Sequence, residues 1–503
     1  MTKKKVLINN SISGVCQLVI TALLTFFSIP VFIHKLGTDL YGVFALVSVI
    51  GNLNLFTNLG LDVSLTKFIA EQGKSTESDK DILVSLILSS SIIVPVSIIA
   101  YLLRSFFLGS LLDIPDIYYQ QAEALFCMLL PANAILLIGQ TFIAVFNGMQ
   151  RIYLSNMIQL IYSCVYWGGI IIVVSMGYQL ETIGLVILFA ASLWMATNIY
   201  CFFRYWKGIQ IQKCRNNLRS NAQKQIKYGA KIYASGVVAF FNEPLFKILI
   251  SNYFGVNAVA YFEIALKIRG QVSGLFNKLM QPLFPYISQL TETKLIANLI
   301  KDMTIKIFWL VLPFCCILFL SCHNIVNLWL RYDIDNYSLF INGIVIPYLL
   351  FSPLTLPIYY YLMGKNHPEK TIVIQFSSVI VNVIAFYALY RFTGFYSIIL
   401  SNALSYFASY LLGVYYQKTF LQIRYRINRN NIFKLVIIIV SYVVLFYLIQ
   451  YINNSWLALS VTITSVLLIT LILYKRFQII TKEDISRYFL NINKIAVSLY
   501  NRL

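Results

Sequence analysis

The sequence predicts an all-α polytopic membrane protein that crosses the bilayer fourteen times. Of the 503 residues, 59% are hydrophobic and only 12% are charged, whereas soluble domains carry about 25% charged residues. Apolar segments of about 20 residues, the length that spans a bilayer, recur along the whole chain. The connections between these segments alternate between many basic residues and few, as expected for a chain that crosses a membrane repeatedly.

The fourteen predicted spans follow from the apolar runs. The first run is too long for the apolar region of a signal peptide, and no small-residue cleavage site follows it, so we expect it to be retained. The predicted spans are 8–33, 42–64, 82–103, 121–147, 154–176, 182–203, 229–250, 256–283, 305–322, 338–363, 371–390, 395–416, 433–451 and 455–474.

The distribution of Lys and Arg predicts the orientation. One alternating set of connections, which includes both termini, contains 31 of the 39 basic residues, and the opposite set contains four. Cytoplasmic connections carry the basic excess, so both termini are predicted to be cytoplasmic. The net charge of +20 therefore reflects membrane topology, and no basic domain for nucleic acid is present in the sequence.

The connection between the sixth and seventh spans divides the chain. It carries eight basic residues and no acidic one between Arg204 and Lys231. We expect a first group of six spans, a basic cytoplasmic linker, a second group of six spans, two further spans and a cytoplasmic tail. The corresponding ranges are 1–206, 207–228, 229–416, 417–474 and 475–503.

The two groups of six spans show signs of an internal repeat. Gly37 is followed five residues later by Gly42, and Gly255 is followed five residues later by Ala260 and then an aromatic residue. Small residues permit a tight turn and a close approach of helices. The two segments occupy the same hairpin position six spans apart, which favours a duplication over a chance match, and parallel repeats of this kind build transporters.

Several short motifs, in the same order, resemble those of a known family. They are Leu36-Gly37 with Tyr41-Gly42, Asn58 to Asp62, Lys67 to Ala70, Gly148 to Arg151, Phe284 to Ser288 and Met363-Gly364. Together with fourteen spans, this set is similar to the polysaccharide (O-antigen or capsule repeat-unit) flippases of the multidrug/oligosaccharidyl-lipid/polysaccharide exporter superfamily. The resemblance implies two six-helix lobes in a V shape, two additional C-terminal helices and an undecaprenyl-diphosphate-linked oligosaccharide as cargo.

Four basic residues lie inside predicted spans, in the seventh and eighth: Lys247, Lys267, Arg269 and Lys278. A charge at bilayer depth costs about 2.5–3.5 kcal/mol on insertion scales, so such residues usually line a polar cavity. The cluster predicts contact with an anionic cargo.

Two of these bases have an acid four residues earlier. Glu243 precedes Lys247, and Glu263 precedes Lys267. Such pairs share a helix face, so they are either structural bridges or part of the cargo site. The glutamates are also candidates for proton or Na⁺ coupling.

Arg269 is the leading candidate for a diphosphate contact, because its guanidinium donates bidentate hydrogen bonds to phosphate oxygens. The alternative is a structural bridge to an acid on another span, such as Asp62. Asp62 is equally a candidate for capping the turn after Gly60, or for ion coupling. Lys278 either contributes to the same basic site or extends toward the cytoplasmic headgroups.

The sequence favours a flippase for lipid-linked oligosaccharides over three alternatives. A cation-coupled multidrug exporter would need more carboxylates than bases in its spans, and the resemblance would predict basic residues in the first span of a lipid II flippase, where this chain has none. An enzyme would need a paired-carboxylate or metal site in a sizeable loop, and every connection is short. We therefore expect no catalytic residues, no cofactor and no metal site.

The expected partners are the lipid-linked oligosaccharide and membrane lipids, with polysaccharide polymerases or glycosyltransferases of the same pathway as candidates. No nucleic acid is expected, and the protein is expected to be a monomer. The residue usage, rich in Ile, Asn and Lys, is typical of an AT-rich bacterial genome, so the predicted location is a bacterial cytoplasmic membrane.

Overall fold

A computed structural model describes residues 3–49, 60–209, 218–280, 292–365, 367–425, 429–452 and 454–479, together with Ile287 and Leu290. Within these ranges the chain forms fourteen α-helices and no strand. In chain order, α1 to α14 are Lys3–Val47, Leu61–Gln72, Thr76–Leu102, Asp116–Gly148, Ile152–Ser175, Leu180–Trp206, Leu218–Asn242, Pro244–Met280, Thr293–Trp329, Ile334–Gly364, Pro368–Thr393, Ser397–Leu421, Arg429–Ile449 and Ser455–Arg476.

The all-α polytopic fold class is confirmed. Eleven stretches of the described residues are long and apolar enough to cross a membrane. The difference from fourteen arises because three stretches, Cys16–Val47, Pro244–Asn277 and Glu369–Leu421, each run from one predicted span into the next. In all three the chain turns within a few residues of a glycine that has positive φ, and the helix resumes directly afterwards.

Two of these turns have the same backbone conformation. Gly37 breaks α1 with φ 87° and ψ 167°, and Gly255 breaks α8 with φ 78° and ψ 176°. An L-residue with a side chain rarely adopts this conformation, so glycine is required at both turns. The two segments that the sequence matched as a repeat therefore form the same kind of hairpin.

The chain divides into two compact units, Met1–Glu263 and Ile264–Leu503. The boundary lies within α8, whereas the lobes predicted from the repeat place all of α8 in the second half. Those lobes remain a prediction. The first unit contains a core of buried apolar residues from α2 to α6: Leu65, Ile69, Ile82, Phe142, Ala144, Val145, Phe146, Leu154, Ile158, Trp194, Phe202 and Trp206.

The second unit contains two buried cores. One joins α9, α10, α11 and α12 near the segment after Leu421 and includes Ile300, Leu362 and Ile374. The other is formed where α13 and α14 pack on α9, around Trp309 and Tyr442. Tyr442 and Thr470 share a buried hydrogen bond of 2.6 Å between their hydroxyl oxygens, so the two last helices are tied to each other in the apolar interior.

Candidate functional site

The charged site begins where α7 ends and α8 starts. Glu243 separates the two helices and Pro244 is the first residue of α8. A proline is tolerated at this position because the first amides of a helix have no intrahelical acceptor. The carbonyl of Glu243 accepts the first helical hydrogen bond, from the amide of Lys247 at 3.1 Å. The sequence therefore sets the break one turn before the first buried base.

Lys247 forms an ion pair with Glu263. The distance from Lys247 Nζ to Glu263 Oε2 is 2.5 Å, and the two side chains are only 10% and 15% exposed. The pair joins the two arms of the α8 hairpin across the break at Gly255. The structural bridge that the sequence left open thus exists for Lys247, but its partner is the glutamate that the sequence matched with Lys267.

Aromatic residues lie close to this ion pair. Glu263 interacts electrostatically with Tyr41 and Tyr166, which come from α1 and α5. Tyr41 is almost completely buried. The low exposure of both side chains places the pair in the interior of the first unit.

Arg269 lies in a different environment, in the second unit. Its Nη1 donates a hydrogen bond of 2.9 Å to the phenol oxygen of Tyr406 on α12. Its guanidinium carbon is 5.5 Å from the ring centre of Tyr348 on α10, which is cation–π distance. The rings of Tyr348 and Tyr406 pack edge to face at 5.4 Å. We call these three residues the arginine–tyrosine cluster.

The remaining candidates are placed on two helices. Lys267 is half-buried on α8, two residues before Arg269. Lys278 lies near the end of the same helix, and its side chain is outside the described residues. Asp62 is in the first turn of α2, two residues after Gly60, which is the residue that precedes the helix. A carboxylate there is favoured by the helix dipole.

Sequence reasoning found the bases but missed their aromatic partners. Tyr348 and Tyr406 are two of 35 tyrosines, and no spacing distinguishes them. Within the described ranges, no three His, Cys, Asp or Glu side chains lie close enough together to hold a metal ion.

Comparisons with known proteins relate the chain to one family and one fold. The family model described as "Polysaccharide biosynthesis protein" matches residues 7–291. No curated protein matches the chain by sequence. The solved structure "Lipid II flippase MurJ, inward closed conformation" is similar with a TM-score of 0.72 and 13% identity, over 96% of this chain and 99% of that one.

A second similar structure is a multidrug resistance MATE family transporter of the MOP superfamily in an inward-facing conformation. Its TM-score is 0.67 with 14% identity, over 81% of this chain and 98% of that one. At such low identities the similarity establishes a shared fold, and the functional assignment depends on the charged and aromatic residues described above.

Proposed function

The chain belongs to the polysaccharide biosynthesis protein family, as its motifs predicted, and we propose that it is a flippase for undecaprenyl-diphosphate-linked oligosaccharides. The observation that carries this proposal is the arginine–tyrosine cluster. Tyr406 and Tyr348 hold the guanidinium of Arg269 by a hydrogen bond and a ring face. These contacts orient a group that binds phosphate oxygens through bidentate hydrogen bonds.

The cluster also suits the sugar portion of such a cargo. Tyrosine presents an apolar ring and a polar hydroxyl, so the same side chain can stack on a sugar ring and hydrogen-bond its hydroxyls. Lys267, two residues before Arg269 on α8, and Lys278 near the end of that helix are the further proposed anion contacts. Lys247 contributes less to this role because Glu263 neutralises it at 2.5 Å.

The proposed cycle is alternating access by the two six-span lobes. The diphosphate enters the cationic site from the cytoplasmic leaflet, the lobes move, and the cargo leaves on the other side while its lipid tail stays in the bilayer. Export of an anion through an inside-negative membrane is downhill by about 2.3 kcal/mol per charge per 100 mV. The potential is therefore a sufficient drive, and exchange of a proton or Na⁺ at Glu243, Glu263 or Asp62 is the alternative drive.

The test is reconstitution in liposomes with a fluorescent undecaprenyl-diphosphate disaccharide, with and without an imposed potential. Arg269→Ala should abolish translocation at normal protein abundance. The matched control is Arg391→Ala. Arg391 also donates to a tyrosine hydroxyl, that of Tyr390 at 3.0 Å, but it lies exposed at the end of α11. Unchanged translocation in Arg269→Ala, or equal loss in both variants, would contradict the proposal.

Two alternatives within the same fold are distinguished by cargo. The similarity to MurJ keeps lipid II as a second candidate, and the similarity to the MATE transporter keeps a multidrug cation as a third. Liposomes supplied in parallel with a lipid II analogue and with ethidium separate the three. The basic residues of α8 favour either anion over a cation, because a like charge is repelled from such a site.

The proposed location is a bacterial cytoplasmic membrane with both termini cytoplasmic. The proposed partners are membrane lipids and the polymerases or glycosyltransferases that use the exported unit, and the proposed assembly is a monomer.

A further inference from the structure

Within the first unit, the helix α7 packs against α2 and α3 through a polar face. Asn221, Gln225 and Gly229 are buried at intervals of four residues, which places them on one side of the helix. The basic residues Arg219 and Lys224 are exposed. Small residues let helices approach closely and amide side chains hydrogen-bond across them, so two amides and a glycine form a specific docking face.

The two amides bind a buried carboxylate on α3. Asp81 is 0% exposed. Its Oδ1 accepts hydrogen bonds from Asn221 Nδ2 at 2.8 Å and from Gln225 Nε2 at 3.3 Å, and its Oδ2 accepts from Gln72 Nε2 at 3.2 Å. Asn221 Nδ2 also donates to Glu77 Oε1 at 2.8 Å. One amide group therefore bridges two carboxylates. We call Gln72, Asp81, Asn221 and Gln225 the amide clasp.

Contacts beside the amide clasp hold α7 against α2. The ammonium of Lys67 lies 4.2 Å from the ring centre of Tyr228, and the ammonium of Lys224 lies 4.1 Å from that of Phe68. The two rings are 6.0 Å apart. Each lysine thus contacts an aromatic ring on the other helix. These two contacts lie at the exposed edge of the same docking surface.

The chemistry of this docking surface makes it separable. A carboxylate and neutral amides exchange their mutual hydrogen bonds for bonds to water when they part, so the net free-energy change per bond is only a fraction of the strength of the bond itself. An apolar interface would instead expose its surface at a large cost. Polar interfaces are the ones across which parts of a chain move. The core between α4 and α6, with Trp194 and Phe142, is apolar and contrasts with it.

Helix α7 leads directly into the helix that carries the charged residues. The helix runs without a break from Leu218 to Asn242 and is followed by Glu243 and Pro244, the first residue of α8. A helix released at its first turns pivots near this junction, one turn before Lys247. We propose that the amide clasp is a cytoplasmic latch that closes α7 onto α2 and α3 in one conformational state and opens in the other.

The first test asks whether the amide clasp holds α7. Asn221→Asp places a third carboxylate against Asp81 and Glu77, whereas Gln223→Asp makes the same charge change at an exposed neighbour. Hydrogen–deuterium exchange of the peptide that covers 218–229 should rise by about tenfold or more in Asn221→Asp and stay unchanged in Gln223→Asp. Equal exchange in the two variants would overturn the latch. This measurement does not depend on the identity of the cargo.

The second test asks whether the latch opens during transport, and it rests on the proposed function. In a background whose eight native cysteines are replaced, Phe68→Cys and Tyr228→Cys are joined by a short reducible thiol cross-linker. Cross-linking should stop translocation of the fluorescent undecaprenyl-diphosphate probe, and reduction should restore it. Full transport by the cross-linked protein would overturn an opening latch.

The control joins two helices through a different surface. The hydroxyl oxygens of Ser85 and Thr141 are 3.5 Å apart between α3 and α4, so cysteines there form a link that leaves α7 free. Transport should persist in this cross-linked pair. Failure of the wild-type protein to move the probe would contradict the proposed function, and the exchange test would then decide on the latch by itself.

Discussion

The hairpin of α1 and the hairpin of α8 have the same backbone turn but a different interior. Eight residues before the turn glycine stands Ile29 in α1 and Lys247 in α8, and eight residues after it stands Ala45 in α1 and Glu263 in α8. Ile29 and Ala45 are each only 2% exposed. The position that holds an ion pair in the second hairpin is therefore apolar in the first.

The two hairpins therefore share the conformation of the turn and not the chemistry around it. An apolar pair at this position is sufficient for the hairpin, because α1 uses one. A buried ion pair gives no more stability than well-packed apolar residues and often less. The charges of α8 are thus in excess of what folding requires, which is the physical reason to look for function in the second hairpin.

The largest expected effect comes from removing one charge of the ion pair in α8. Lys247→Ile removes the base that pairs with the largely buried carboxylate of Glu263 at 2.5 Å and should lower the free energy of unfolding by about 3–5 kcal/mol. The double variant Lys247→Ile with Glu263→Ala copies the first hairpin and should recover most of that loss. Thermal unfolding in detergent measures both. A double variant as unstable as the single one would contradict the equivalence of the two hairpins.

The next effect concerns the place where the two hairpins touch. A Cβ built on Gly42 would lie 2.0 Å from the carbonyl oxygen of Val256, which is backbone and cannot rotate away. Gly42→Ala should cost about 1–3 kcal/mol, as overpacking does. Gly109→Ala is the control, because a Cβ there meets nothing within 4 Å. Equal thermal stability of the two variants would show that this contact is not maintained.

An effect of similar size tests the shared turn directly. A Cβ on Gly37 or on Gly255 meets no neighbour within 4 Å, so a substitution costs only the strain of positive φ. Gly37→Ala and Gly255→Ala should each lower the unfolding free energy by about 1–3 kcal/mol, and by similar amounts. Clearly different losses would mean that only one hairpin needs its glycine.

The smallest effect concerns the arginine–tyrosine cluster in the second half. Tyr406→Phe keeps the ring and removes the hydroxyl that accepts from Arg269, a loss of about 0.5–1.5 kcal/mol. The apparent affinity for the fluorescent diphosphate probe should fall by about 2–13-fold, the ratio of dissociation constants that corresponds to this free energy. Tyr348→Phe keeps the ring face that Arg269 uses and should change little. Equal effects of the two variants would contradict a role of the Tyr406 hydroxyl in binding the probe.

The hairpin turns and the charged positions could be predicted from the sequence, because a single short segment carries the information for each. Gly37 and Gly255 identified the two hairpin turns, because positive φ is a local requirement of the backbone. The basic residues of α8 were recognised because charges are rare in apolar runs. Their partners were not, since Lys247 binds Glu263 sixteen residues away while a glutamate lies one turn before it.

By itself, the sequence determined the all-α membrane fold, the positions of its turns and the location of its charges, because hydrophobicity, glycine and charge act locally. Only the tertiary structure decided which groups meet: the pairing of Lys247 with Glu263, the two tyrosines around Arg269 and the amides around Asp81. Each of these contacts joins residues on different arms or helices, and packing selects among many tyrosines and amides of the same type.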